Sequence, residues 1–128
     1  MNIGPVIYSV LSADATVSGL VGTKIYPLWA RQNEPLPQVV YGIDAIRPTE
    51  HKGLGSASDT IQVYCTVHAR LWDDLITLCT AIREALDGYT GTVSGITVKY
   101  CVFKEMTTTR EEEAEVARAE MIFNLRLT

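Results

Sequence analysis

Cys65 and His68, spaced C-x-x-H, are the pair in this sequence whose types and separation come nearest to a chemical motif. A thiolate and an imidazole can share a metal ion or act as nucleophile and base, and His51 and Cys79 are the further ligands to consider. Zinc sites, however, present paired ligands on loops or knuckles, whereas Cys65 falls on the apolar side of an alternating segment. The sequence therefore predicts no metal site, and His68 is read as a junction residue between a strand and the next helix, assisting the helix start.

Two carboxylate runs, Asp73-Asp74 and Glu111-Glu112-Glu113, have the types needed to hold a divalent ion or to move protons. The first lies in the opening turns of a periodic helix, where negative charge is favoured by the macrodipole and neighbouring side chains point about 100° apart. The second follows T-T-T-R and precedes a strand, which predicts a solvated loop. No G-x-S-x-G occurs, no histidine is placed beside a serine as a base, and K-G-L-G-S (52–56) matches neither a phosphate-cradling loop nor a dinucleotide fingerprint. No catalytic, cofactor-binding or metal-binding residue is assigned, and the chain is not expected to be an enzyme. Trp29 and Trp72 are read as core or interface residues. Trp29, in the linker L-W-A-R-Q-N-E-P-L-P, is the better interface candidate, because aromatic anchors beside arginine recur at binding hot spots; packing beneath the linker is the alternative.

The elements that position these residues follow from periodicity. Ile3, Val6, Ile7, Val10 and Leu11 form one helical stripe, with Pro5 tolerated in the first turn. Asp14 is placed to cap a short helical turn over Ala15 to Leu20, and Gly22 to end it. A first strand is expected at Lys24–Leu28 and a second at Gln38–Ile46, followed by R-P-T-E-H-K-G-L-G-S-A-S (47–58), read as a long mobile loop or hairpin tip. Thr60–Val67 alternates cleanly as a third strand, and Ala69–Asp87 reads as the main helix, stopped by Gly88. A turn over Tyr89–Gly95 precedes a fourth strand from Ile96 to about Glu105, then a polar link over Thr107–Glu113. The last strand, Glu115–Leu127, would span about 40 Å at ~3.3 Å per residue, which predicts that part of it projects, bends or pairs with a neighbouring subunit.

Composition narrows the classes. The 128 residues suit one domain (1–128), and 47% hydrophobic with 20% charged residues is ordinary globular usage. No segment reaches the ~18 apolar residues of a membrane helix, and Met1–Leu11 lacks the features of a secretory signal, so a soluble, cytoplasmically made protein is expected. Three cysteines inside apolar segments predict reduced core thiols. The net charge of −4 comes without a basic stripe, which argues against tight nucleic-acid binding.

Taken in order, L-S-A-D (11–14), L-V-G-T-K-I-Y-P (20–27), L-P-Q-V-V-Y (36–41), D-T-I-Q-V-Y-C-T-V (59–67), A-I-R-E-A-L-D-G (81–88) and the long last strand resemble the tail completion or tail terminator proteins of long-tailed phages and prophage elements. The resemblance covers nearly the whole chain, and the joint order carries it. Two departures stand out: A-R-Q-N-E-P-L-P (30–37) replaces a short proline-containing link, and residues 105–115 are unusually acidic. The resemblance implies an α+β fold, an antiparallel sheet of about four to five strands with two helices packed on one face. It also implies a virion protein that forms a ring, usually of six copies, at the head-proximal end of the tail. Partners would be further copies of itself, the major tail tube protein and a head-completion or neck protein, with DNA passing through the lumen and no membrane involved. Within that reading the interface residues are Trp29, Arg31 and Glu34, in the linker 28–37, and Arg47, His51, Lys52 and Leu54, on the loop 47–58, and the lumen-facing residues are Glu111, Glu112 and Glu113. Another neck or minor tail protein, a small cytoplasmic enzyme and a ligand-binding module are the rival readings.

Overall fold

The computed structural model describes residues 3–29, 35–51, 55–111 and 115–127, with the backbone alone at 48–51, 55–59 and 111. Helices α1 (Gly4–Ala13) and α2 (Ala15–Val21) are joined at Asp14 with a bend of 92°. Strand β1 (Ile25–Pro27) follows, then β2 (Gln38–His51), β3 (Gly55–Ala69), α3 (Trp72–Leu86), β4 (Gly91–Val93), β5 (Ile96–Glu111) and β6 (Val116–Leu127).

Local chemistry explains the boundaries. Asp14 Oδ1 accepts from the backbone N–H groups of Thr16 and Val17, each at 3.0 Å, satisfying two of the donors that a helix start leaves free. Its own N–H donates to Leu11 O, so one residue ends α1 and starts α2. Gly22 stops α2 at φ 62°, a conformation open to glycine. Asp73 and Asp74 occupy the first turn of α3, where the dipole favours them.

The six strands form one sheet in the order β1-β2-β3-β6-β5-β4. All pairs are antiparallel except β1 with β2, which run parallel. The architecture is thus α+β as expected, with a wider sheet and one more helix. The turn over Ala15–Leu20 is long enough to count as α2, and the glycine-rich turn holds the short strand β4. Two long antiparallel hairpins, β2–β3 and β5–β6, make up the body, joined in the middle by β3 against β6. Strand pairing continues through segments that read as loops: β2 and β3 pair out to His51 opposite Gly55, and β5 runs to Glu111 opposite Val116. The sequence pattern missed these because their side chains are polar, while hairpin pairing needs only backbone groups. The long final strand is flanked inside the chain by β3 and β5, and register shifts at Val98/Tyr100 and Phe103/Glu105 let β5 bend around it.

The main apolar cluster lies on the helix side of the sheet. Ile61, Val63, Cys65, Val67 and Ala69 of β3 and Ala119, Met121, Phe123 and Leu125 of β6 alternate into it beneath Val6, Ile7 and Leu11 of α1 and Leu75, Leu78 and Ile82 of α3. Phe123 is fully buried and meets Phe103 edge-on at 5.6 Å, and the Arg83 guanidinium lies 4.3 Å over the Phe103 ring. Among the described residues no single helix is long and apolar enough to cross a membrane.

Candidate functional site

The face of the sheet away from the helices carries Gln62, Tyr64, Thr66 and His68 of β3 beside Arg118, Glu120, Ile122, Asn124 and Arg126 of β6. Alternation along a strand puts Cys65 and His68 on opposite sides of β3, so the C-x-x-H pair cannot share a ligand. Among the described residues no group of His, Cys, Asp and Glu is arranged to hold a metal ion. His68 lies one residue before the end of β3, beside the junction with α3, as its place in the sequence suggests. The N-cap is Leu71, which makes no side-chain capping bond, while His68 sits opposite Gln38 in the sheet. Gln38 is buried, and its Oε1 finds no hydrogen-bond partner among the described residues.

The three thiols belong to the core. Burial pushes the Cys65 thiol strongly upward, that of Cys79 up to about 11, and that of Cys101 up to about 12, with the Asp87 charge adding to the last. Nucleophilic work near neutrality needs thiolate, and these sites suppress it. Tyr64 is also raised, first by burial and then by Asp44 and Glu120.

Open depressions mark the described surface. One, about 660 Å³, lies between Trp72 at the start of α3 and the far end of the β5–β6 hairpin, with Arg70, Arg110 and Glu115 on its rim. A second, about 330 Å³, is polar and runs over the open face between Tyr64, His68, Arg118 and Glu120. A third, about 260 Å³, is a shallow apolar dent beside Pro27, Leu28 and Ile43. Arg118 and Glu120 pair at 3.4 Å with both side chains well exposed, a contact worth little.

Large apolar side chains crowd the periphery instead of a pocket. Trp29 is 78% exposed, Leu28 61%, Leu71 63% and Trp72 59%. Trp29 and Trp72, which periodicity left between core and interface, both stand at the described surface. Ile43, Ile46, Tyr100, Val102 and Met106 are also exposed, in stretches of β2 and β5 interrupted by register shifts. Sequence alternation gave no warning, because it cannot tell where the helical layer stops. Of the expected interface residues, Arg47 is exposed on the open face of β2, and His51 closes that strand at its tip. Arg31, Glu34, Lys52 and Leu54 lie outside the described residues, as do Glu112 and Glu113; Glu111 is the last residue of β5.

No curated protein matches the chain. Among solved structures, a chain from the virion of a native gene transfer agent (GTA) particle superimposes with a TM-score of 0.81 at 21% identity, covering 94% of this chain and 90% of that one. That likeness speaks for the fold. A family model described as tail completion protein gp17 matches residues 5–128, from the first turn of α1 through the last strand. Matched by that model over nearly its whole length, the chain belongs to the tail completion protein gp17 family, a structural family of phage tails.

Proposed function

We propose that this protein ends the phage tail tube: copies of it, six by the family resemblance, form a ring at the head-proximal end, stop tube polymerisation and offer a docking surface to the head-completion proteins, with DNA passing through the lumen. The observation that carries this reading is the placement of apolar surface. Leu28, Trp29, Leu71 and Trp72 stand exposed at the ends of elements, while the depressions between them are open and shallow, as suits a protein that binds other proteins on several sides. A small-molecule enzyme would instead gather polar groups and perturbed ionisable side chains in an enclosed cleft. The raised groups here are core thiols and two tyrosines.

Within the ring, Trp29, Arg31, Glu34, Arg47, His51, Lys52 and Leu54 contact neighbours and tube, and Glu111, Glu112 and Glu113 line the lumen, where like charge lets DNA slide. The virion setting of the gene transfer agent neighbour is consistent with this role. Deleting the gene from the parent phage or prophage and imaging the induced lysate by negative-stain electron microscopy tests the proposal. Abnormally long tubes with unattached full heads are expected. Unattached tails of normal length would mark a neck or joining protein instead, and intact infectious particles would overturn the virion role. Reversing Glu111, Glu112 and Glu113 to lysine should impair DNA passage and infectivity; unchanged infectivity would remove the lumen assignment.

A further inference from the structure

Both edges of the sheet are only partly covered, and in complementary ways. On one side β1 pairs with β2 over Val39–Tyr41, and beyond that the outer edge of β2 has no strand beside it among the described residues. On the other side β4 pairs with β5 over Ile96–Val98, Gly88 N–H donates to Cys101 O and Phe103 N–H donates to Asp87 Oδ1. Past Phe103 the outer edge of β5 likewise has no neighbouring strand among the described residues. The bare stretches lie at opposite ends of the sheet and run in opposite directions. Bare edges of this length are templates for another strand.

We infer that the outer edge of β2 in one copy pairs antiparallel with the outer edge of β5 in the next, making one continuous sheet around the assembly. This rests on the ring reading and names the contact that builds it. The register follows from the residues. Ile46 shares the helix-side face with its partner Ile61, and Met106 shares that face with its partner Met121. Setting Ile46 opposite Met106 brings two exposed apolar side chains together, places Ile43 beside Thr108 on the same face, and sets Arg47 opposite Glu105 on the other face. Thr107, Thr108 and Thr109 supply β-branched residues to the new pair.

The offset also fits closure. Across one copy Ile46 stands level with Cys101, through Ile61 and Leu125. Pairing with Met106 instead shifts the next copy by four residue spacings once the bulged Lys104 is set aside, roughly 13 Å. Shared over the four long strands of a copy, that is about one residue of shear per strand, the ratio that tilts strands by about 36° in a closed eight-stranded barrel. A head-to-tail contact of this kind closes into a ring or grows as a helix; it does not stop at a dimer.

Two sets of variants test the pairing. Ile46→Cys and Met106→Cys, made singly and together, are assembled, oxidised and run on a non-reducing gel, with Cys65, Cys79 and Cys101 buried and silent. A ladder of linked copies from the double variant alone is expected. Thr108→Pro removes a donor that the register aims outward, so loss of assembly with an unchanged monomer melting temperature is expected. Assembled rings that never cross-link, together with normal assembly of Thr108→Pro, would overturn the pairing and leave the ring reading standing. Linked dimers from Met106→Cys alone would overturn it in favour of β5 meeting β5. A chain that stays monomeric, both alone and on purified tail tubes, would overturn both.

Discussion

Gly42 and Tyr64 face each other across β2 and β3 on the open side of the sheet, and the tyrosine ring lies in the space that a side chain at Gly42 would fill. A Cβ there would stand 2.7 Å from Tyr64 Cε1, closer than carbon atoms approach. The glycine is required by its neighbour's ring and not by its own backbone angles.

Gly42→Ala should push the ring toward solvent. Because the displaced atoms are the far end of one side chain, the cost is expected near ~1 kcal/mol, at the low end for overpacking. The more telling readout is the phenol: since burial is the leading cause of its raised pKa, Tyr64 should titrate closer to 10 in the variant. Absorbance of tyrosinate against pH, referenced to a Tyr64→Phe control, checks this; an unchanged titration would refute it.

Asp14 serves two helices at once, ending α1 through its backbone N–H and starting α2 through its carboxylate, and side-chain replacement removes only the second. Asp14→Ala is expected to lower stability by about 0.5–2 kcal/mol, with Asp14→Asn, whose side-chain oxygen can still accept, keeping most of the wild-type stability. Denaturant midpoints of the two variants at neutral pH would measure it, and equal stability of wild type and Asp14→Ala would dismiss the cap as ornamental.

Asp87 ties the end of α3 to the sheet through its Oδ1 and the Phe103 amide, 3.0 Å away. Asp87→Ala should lower the melting temperature by the equivalent of about 0.5–1.5 kcal/mol. Its folded-state Cys101 pKa should also fall, because the Asp87 charge contributes to raising it. Thiol titration of the folded variant tests the second part independently.

The buried thiols set an alkaline limit. In the folded chain Cys79 and Cys101 hold their protons to about 11 and about 12, against 9.0 for a free thiol. The native state therefore binds more protons than the unfolded state once pH passes 9, and stability should be full below that point and fall as pH climbs toward 11–12. Melting temperatures flat from pH 7 to 8.5 and declining above pH 9 are expected. Replacing Cys79 and Cys101 with alanine should flatten the decline.

How much of this was readable in the residues depends on what decides each feature. Asp14, Gly22 and the alternation of Ile61 to Val67 act locally, so caps, helix ends and core strands stood plainly in the sequence. The outer halves of β2 and β5 read as loops because R-P-T-E-H and T-T-T-R-E have no apolar side to bury; their conformation is set by a partner strand distant in the pattern. The parallel pairing of β1, only three residues long, depends on where a linker returns the chain. At the surface, Trp29 was legible from its polar neighbours, whereas Ile43, Ile46 and Met106 were not, since exposure there reflects the edge of the helical layer.

The central place of β6 between β3 and β5 has a consequence for how the protein comes into being. Of the strands described here it is the last to be synthesised, yet it supplies the middle of the core and joins the two hairpins, so the sheet cannot close while Val116–Leu127 is still inside the ribosome. Chains cut short before that point would lack the seam between β3 and β5 and expose two apolar half-sheets. Completion of the core therefore waits on the synthesis of β6, although the strands it joins are made before it.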